Sequence, residues 1–354
     1  MTALDEKVPS TISASKRCPP EIWHRIFSEI GPDNETGRAL SLVSQSFNRV
    51  SEPVLFRSLF LVFDIRALER LDEFCQMLER KPPWVHHLFL DFYNSDPRDV
   101  NVSRLWKVQT TEDEDFWKRV FDRMSDLVNR LLAIVDPTLT ILTIFLETNT
   151  MMPRISVPLA HLRDLTFYVS RPLILLSDHP PDMLPSAPFP SLERLHVAYK
   201  DEVYRSGIVA PHIDTIAQYA PNLTHIYLSG LRLDHAYIKI SQAFGPLETG
   251  SNSFSLQNKM RLPSSLQRFI IGLDVSTRFR EAYIARWGLE ASTVGNGLLA
   301  VRYVRLKKGE VEGEFCLEEA KQEWVDRIQG APILWEEDVD LDIEEEKYDG
   351  TVGG

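Results

Sequence analysis

The sequence predicts an α/β chain in which a short helical module leads into an irregular array of repeats, a parallel sheet with covering helices. Three observations predict it. The stretch "CPPEIWHRIFSEIGPDNETGRALSLVSQSFNRV", Cys18 to Val50, carries apolar residues at helical spacing, with a proline pair in front and a Gly-Pro break within. Downstream, helix-like stretches alternate with short apolar ones, the order expected of a parallel sheet. Six of those short stretches share one pattern, apolar-x-x-apolar-x-apolar.

Residues 1–17 are polar and rich in Ser and Thr, and read as a disordered leader. The helical module is expected over 18–58. In "PPEIWHRIFSEI" the apolar residues Ile22, Ile26, Phe27 and Ile30 share one side, while His24, Arg25, Ser28 and Glu29 share the other. Pro19 and Pro20 suit a first helical turn, where an absent N–H costs nothing, and Gly31-Pro32 ends the helix. A second apolar group follows in Leu40, Leu42, Val43, Phe47 and Val50, with Ser44 placed to cap a further short helix. So short a segment seldom supports a core alone, so its apolar face is buried either on the next domain or on a partner.

The array is expected over 59–335. Leu68, Leu71, Phe74, Cys75 and Leu78 form a helical stripe within 65–80, stopped by Lys81-Pro82-Pro83. The strand pattern is then carried by Val85/Leu88/Leu90, Leu139/Leu142/Ile144, Leu162/Leu165/Phe167, Leu192/Leu195/Val197, Leu223/Ile226/Leu228 and Leu266/Phe269/Ile271. Their spacing is a loose form of the leucine-rich period. Helices are expected between strands over 116–135, 212–219, 234–244 and 278–287. The stretches 170–190 and 245–264, rich in Pro, Ser or Gly, read as long loops. Phe315, Ala320, Trp324 and Ile328 fit a last helix, expected to cap the array where its final apolar face would otherwise meet water.

Charge and composition bound the function. The 39 basic and 51 acidic residues give a net charge of −12, against a general nucleic-acid binder. Most of the excess lies in 336–354, read as a disordered acidic tail. No apolar run is long enough for a membrane span, no secretion signal opens the chain, and Cys18, Cys75 and Cys316 form no metal or disulfide framework. The expected location is the cytoplasm or nucleus.

Cys18-Pro19-Pro20-Glu21-Ile22, then Ile26-Phe27, then "LSLVSQSFNRVSEPVLFRSL" resemble the F-box motif, which usually opens Leu-Pro-x-Glu-Ile and continues through Val-Ser and an aromatic. The whole chain is similar to the F-box-like proteins abundant in mushroom-forming fungi, in which the motif precedes irregular leucine-rich repeats. Cys18 departs from the pattern, since Leu usually stands there. The resemblance implies a three-helix module that docks on a Skp-type adaptor and, through it, on the cullin scaffold of a ubiquitin ligase, while the repeats bind an unknown target protein. Carried over residue by residue, Pro19, Ile22, Ile26 and Phe27 form the first half of the docking face, and Leu42, Val43, Phe47 and Val50 the second. The alternative is a repeat-based interaction protein whose module serves only as a structural cap, for which Cys18 speaks.

Catalytic chemistry is thin. There is no Gly-x-Ser-x-Gly elbow, no Gly-x-x-x-x-Gly-Lys phosphate loop and no His-Glu-x-x-His helix. His86 and His87 are neighbours on a strand and point to opposite faces, and the acidic tail lacks the glycine and ligand spacing of a calcium loop. Tyr168, Tyr199 and Tyr227 are aromatic enough to anchor a partner, but nothing in their spacing assigns them to one. No catalytic residue, metal or cofactor is assigned, and the chain is read as a non-enzyme.

Overall fold

The structure, a computed structural model, describes residues 19–28, 39, 42–63, 68–80, 84–92, 111–146, 155–169, 188–199, 219–232, 263–274, 300–305 and 316–331. The leader, the acidic tail, most of the two expected long loops, nearly all of the expected helix at 212–219 and the whole of those at 234–244 and 278–287 lie outside them.

Two helices open the fold, α1 (Pro20–Ser28) and α2 (Gln45–Leu55). Helix α1 starts on a proline, where the missing N–H has no intrahelical partner to lose. Ser44 caps α2, its Oγ accepting a hydrogen bond from the Phe47 N–H at 3.2 Å. The two helices pack on one another, with the Trp23 and Phe47 rings 4.8 Å apart. Residues 29–38, 40 and 41 are not described, so the third helix of the expected module has no counterpart among the described residues. Two residues after α2 the chain enters β1 (Ser58–Val62), then α3 (Leu68–Glu79), β2 (His87–Phe92), the long α4 (Thr111–Val135) and β3 (Ile141–Leu146). Strands β4 (Asp164–Val169), β5 (Arg194–Tyr199), β6 (His225–Arg232), β7 (Arg268–Asp274) and β8 (Ala300–Arg305) follow, and α5 (Leu317–Ile328) closes the described chain.

The eight strands among the described residues form one parallel sheet whose spatial order is the sequence order, β1 to β8. A doubly wound sheet would reverse direction at a switch point; an order without reversal is that of a repeat solenoid. The shared sequence pattern is literal register. Its last apolar positions, Leu90, Ile144, Phe167, Val197, Leu228 and Ile271, lie side by side across the sheet. Two further strands extend the row at its ends: Leu61 of β1 pairs with Leu90, and Tyr303 of β8 pairs with Ile271. Phe56/Leu59/Leu61 and Leu298/Val301/Tyr303 follow the same pattern. The first of these straddles the boundary expected between module and array at 58–59 and is not among the six matches read from the sequence.

Just before each of β1 to β6 one carbonyl accepts two successive N–H groups from the next repeat, as His86 does from Thr140 and Ile141, Arg163 from Glu193 and Arg194, and Thr224 from Gln267 and Arg268. These bonds stack each turn on its neighbour and hold the register through the loops.

Strand side chains alternate between two faces. On one face Leu88, Leu90, Leu142, Ile144, Leu165, Phe167, Leu195 and Val197 pack against Leu68, Cys75 and Leu78 of α3 and Met124, Val128, Leu131 and Leu132 of α4 as a single continuous core. Arg130 of α4 ties the two helices, donating from Nε and Nη2 to both Glu79 carboxylate oxygens at 2.7 and 2.9 Å and from Nη1 to Asp72. The opposite face is closed by α5. Ala320 and Trp324 are buried there against Phe89, Phe145, Tyr168 and Ala198, with Trp324 edge-on to Phe89 at 5.7 Å. The last helix exists where the sequence places it, but its buried contacts lie across the face of β1 to β5, where a cap on the end of the array was expected. An apolar stripe states that a helix is covered and leaves open by what.

Candidate functional site

The expected docking residues sit on α1, α2 and the turn before α2. Pro19 is exposed, Ile22 and Ile26 of α1 are 47% and 46% exposed, and Leu42 and Val43 are 80% and 64% exposed. Most large side chains of these types are buried in folded proteins, and four are open on this short segment. Phe47 and Val50 are half-buried, Phe47 because its ring lies tilted against Trp23 between the helices. The side chain of Phe27 lies outside the described residues. Pro19, Ile22, Ile26 and the Leu42–Val43 pair thus look outward, while Phe47 contributes to the contact that holds α1 on α2. Ser51, with its hydroxyl donating to the Asn48 carbonyl at 3.1 Å, is buried.

A second cluster, which the sequence reading missed, lies between α5 and the sheet. Arg327 reaches down from α5 and donates to the Thr166 hydroxyl, to the Glu323 carboxylate one helical turn earlier and, from Nη2, to His196 Nδ1 at 2.8 Å. His196 Nε2 meets Ser229 Oγ at 2.9 Å, and the Tyr168 hydroxyl donates to Glu323 Oε2. Tyr227 stacks on the His196 ring with centroids 4.5 Å apart. Thr166, His196, Tyr227 and Ser229 occupy strand slots alternating with the core positions, and all are buried. The signal was an unusual set of polar and aromatic residues in those slots, together with Glu323 and Arg327 at i and i+4 in a helix otherwise built around Trp324.

Electrostatics follow from this geometry. Burial holds the His196 imidazole below its ordinary pKa, with the Arg327 charge acting in the same sense against the pull of Glu323. The neutral ring then carries its proton on Nε2 and accepts from Arg327 at Nδ1, which makes the 3.3 Å approach of Glu323 to Nδ1 a contact bridged by the guanidinium instead of an ion pair with histidine. Burial pushes the Glu323 carboxyl up, but Arg327 and its other hydrogen-bond partners outweigh it and hold it ionised, well below the usual range. Burial raises the Tyr168 phenol well above its ordinary value, and the Glu323 charge adds to this. His87 on the same face is buried against Ser58 Oγ at 2.8 Å, and burial, helped by Arg57, lowers its pKa to about 3.

Tyr168, Tyr199 and Tyr227 are buried, the first and last in this cluster and Tyr199 in the core of the opposite face. No group of three or more His, Cys, Asp or Glu that could hold a metal ion occurs among the described residues. None of the described helices is long and apolar enough to cross a membrane. With the geometry in place, comparison with protein-family models, curated proteins and solved structures finds no match.

Proposed function

We propose that the chain is a substrate receptor of a cullin-based ubiquitin ligase, binding a Skp-type adaptor through α1, α2 and the turn between them and a target protein through the repeat sheet. The supporting observation is the exposure of Ile22, Ile26, Leu42 and Val43 on α1 and the turn before α2. Had that side been sealed against the sheet, nothing would remain for an adaptor to grip. Burying one such side chain contributes about 1.5–3 kcal/mol, so a handful can hold an interface after the costs of association. The F-box-like residue pattern supplies the identity of the partner.

Co-expression with a Skp-type adaptor tests the reading. The wild-type chain is expected to co-purify with it, and Ile26→Asp, a charge placed on the exposed face, is expected to weaken the complex at least about tenfold, equivalent to about 1.4 kcal/mol. Failure of the wild type to co-purify defeats it.

The second reading, a module that only caps the first repeat, draws on two observations. Helix α2 runs into β1 after only Phe56 and Arg57, and Phe56 packs against the main core. A terminal strand of a parallel array needs its open edge protected, and the module is the nearest element in the chain to β1.

A further inference from the structure

The strands of the sheet are unevenly charged. Strands β1 to β4 contain Asp91 and Asp164 and no Lys or Arg, whereas β5 to β8 contain Arg194, Arg232, Arg268, Arg302 and Arg305 against Asp274 alone. In a chain of net charge −12, so basic a half-sheet is a local exception. Arg194 and Arg268 alternate with the core positions Leu195 and Phe269, and Arg302 pairs with Ile270, so the register puts all three positions on the α5 side of the sheet. Asp164 of β4 accepts from one of them, Arg194 Nη2, at 2.7 Å. The surplus is one of composition and holds whatever pairs the other guanidinium groups make.

Helix α5 stops short of that half. Its successive turns step across the sheet: Lys321 lies over Phe60 of β1, Trp324 meets Phe89 of β2, and Arg327 reaches Thr166 of β4 and His196 of β5. Gly330, at φ 73°, ends the helix, and the Ala331 N–H donates to the Asp326 carbonyl at 2.9 Å. The chain therefore leaves α5 beside β5, at the border of the basic half. Tyr227 of β6 and Ile270 of β7, on the same side, are each 3% exposed. Neither belongs to the core under α3 and α4 or to the apolar cluster around Trp324. Their cover is supplied by this chain outside the described residues.

Charge and chain position select the segment. Beyond β5, the stretches 200–218, 233–262, 275–299 and 306–315 each carry a net charge within one unit of zero, while 332–354 carries nine acidic residues and one lysine. Of these, only the last complements the arginines. It also starts in the right place. Ile333, Leu334 and Trp335 follow α5 directly and supply the apolar cover that Tyr227 and Ile270 need, and Glu336 stands five residues beyond Ala331. Five extended residues span about 17 Å, more than the about 14 Å from β5 to β8. From Asp338 to Ile343 acidic and apolar residues alternate, so an extended tail turns Asp338, Asp340 and Asp342 to one side.

We propose that residues 332–354 bind back onto the β5–β8 end of the α5 face, with Ile333 to Trp335 over Tyr227 and Ile270 and the acidic residues beside Arg268 and Arg302. The tail is then a built-in acidic occupant, which neutralises the basic half of the sheet and keeps other acidic segments from it. The proposal does not depend on the adaptor reading, and its assay contains no adaptor.

The full chain carrying Asp338→Asn, Asp340→Asn, Asp342→Asn and Glu344→Gln, which leaves every described residue unchanged, is titrated beside the wild type with a fluorescent peptide spanning residues 332–354. The peptide is expected to bind the variant at least about tenfold more tightly than the wild type, because an occupant seated in about 99% of molecules reduces a competitor's apparent affinity about 100-fold. Binding to the variant is expected to weaken as salt is raised, and to weaken at least about tenfold when Arg268→Gln and Arg302→Gln are added. Equal affinity for wild type and variant, no binding to the variant, or binding indifferent to salt or to the two arginines overturns the proposal. Should the arginine variant lose its far-ultraviolet circular dichroism, hydrogen exchange decides. Faster exchange of β7 in the tail variant than in the wild type supports the docked tail, and unchanged exchange overturns it.

Discussion

Leu142 and Leu42 are the same residue in opposite surroundings. Leu142 is fully buried between the sheet and its covering helices, and Leu42 is 80% exposed on the module. Leu142→Ala is expected to cost about 2–5 kcal/mol, and Leu42→Ala to stay within about 0.5 kcal/mol, both read from urea denaturation. A large loss at Leu42 would mean that the module's apolar patch is covered within the monomer. His87 carries a pH dependence. Its pKa is near 3 when folded, against 6.5 for the free side chain, so the unfolded chain binds the extra proton. The stability it contributes is complete above pH 6.5 and is lost as pH falls toward 3, at up to about 1.4 kcal/mol per pH unit. His87→Asn is expected to lower stability at neutral pH and to flatten the acid side of the stability curve. An unchanged slope would show that the ring is not buried in its neutral form.

At the level of elements, the helix ends show how much local chemistry the sequence carries. Cys316 caps α5 in a reciprocal capping box: its Sγ accepts from the Glu319 N–H at 3.4 Å and the Glu319 carboxylate accepts from the Cys316 N–H at 3.3 Å. A thiol is a weaker acceptor than a hydroxyl, and Ser is among the preferred cap residues. Cys316→Ser is therefore expected to stabilise α5 by about 0.5–1 kcal/mol and to slow hydrogen exchange along it. No change in α5 exchange would show that the cap does not limit its docking. The turn before α2 is legible in the same way, with Ser44 capping as its position suggests. The strands were legible because their apolar pattern is one register row repeated across the sheet. β1 escaped because Phe56, Leu59 and Leu61 continue directly from a helix, and a short apolar run after a helix reads equally well as its tail.

For the whole molecule, the sequential strand order makes stability close to a sum over neighbouring repeats, with β1 and β8 at the two ends of the described sheet. Removal of residues 1–55 separates the two readings of the N-terminal module. If the module serves docking, the remainder is expected to stay monomeric with a cooperative melt and to lose adaptor binding. If it serves as a cap, the freed edge at β1 is expected to drive aggregation, visible by light scattering. The α5 face adds a long-range link: Arg327 joins residues of β4 and β5 that lie more than 130 positions earlier in the chain. No local rule in the sequence connects them.

By itself the sequence determined the parallel array, the register of its strands, the cap of α2 and the side of α1 and α2 that is apolar, because each of these follows from spacing within a few residues. The tertiary structure decided what each apolar stripe meets. It left Ile22, Ile26, Leu42 and Val43 open and laid α5 across the sheet, with Trp324 against Phe89 and Arg327 on a buried histidine. The reason is physical: periodicity reports that a face avoids water, and only the packing of distant segments selects the surface that covers it.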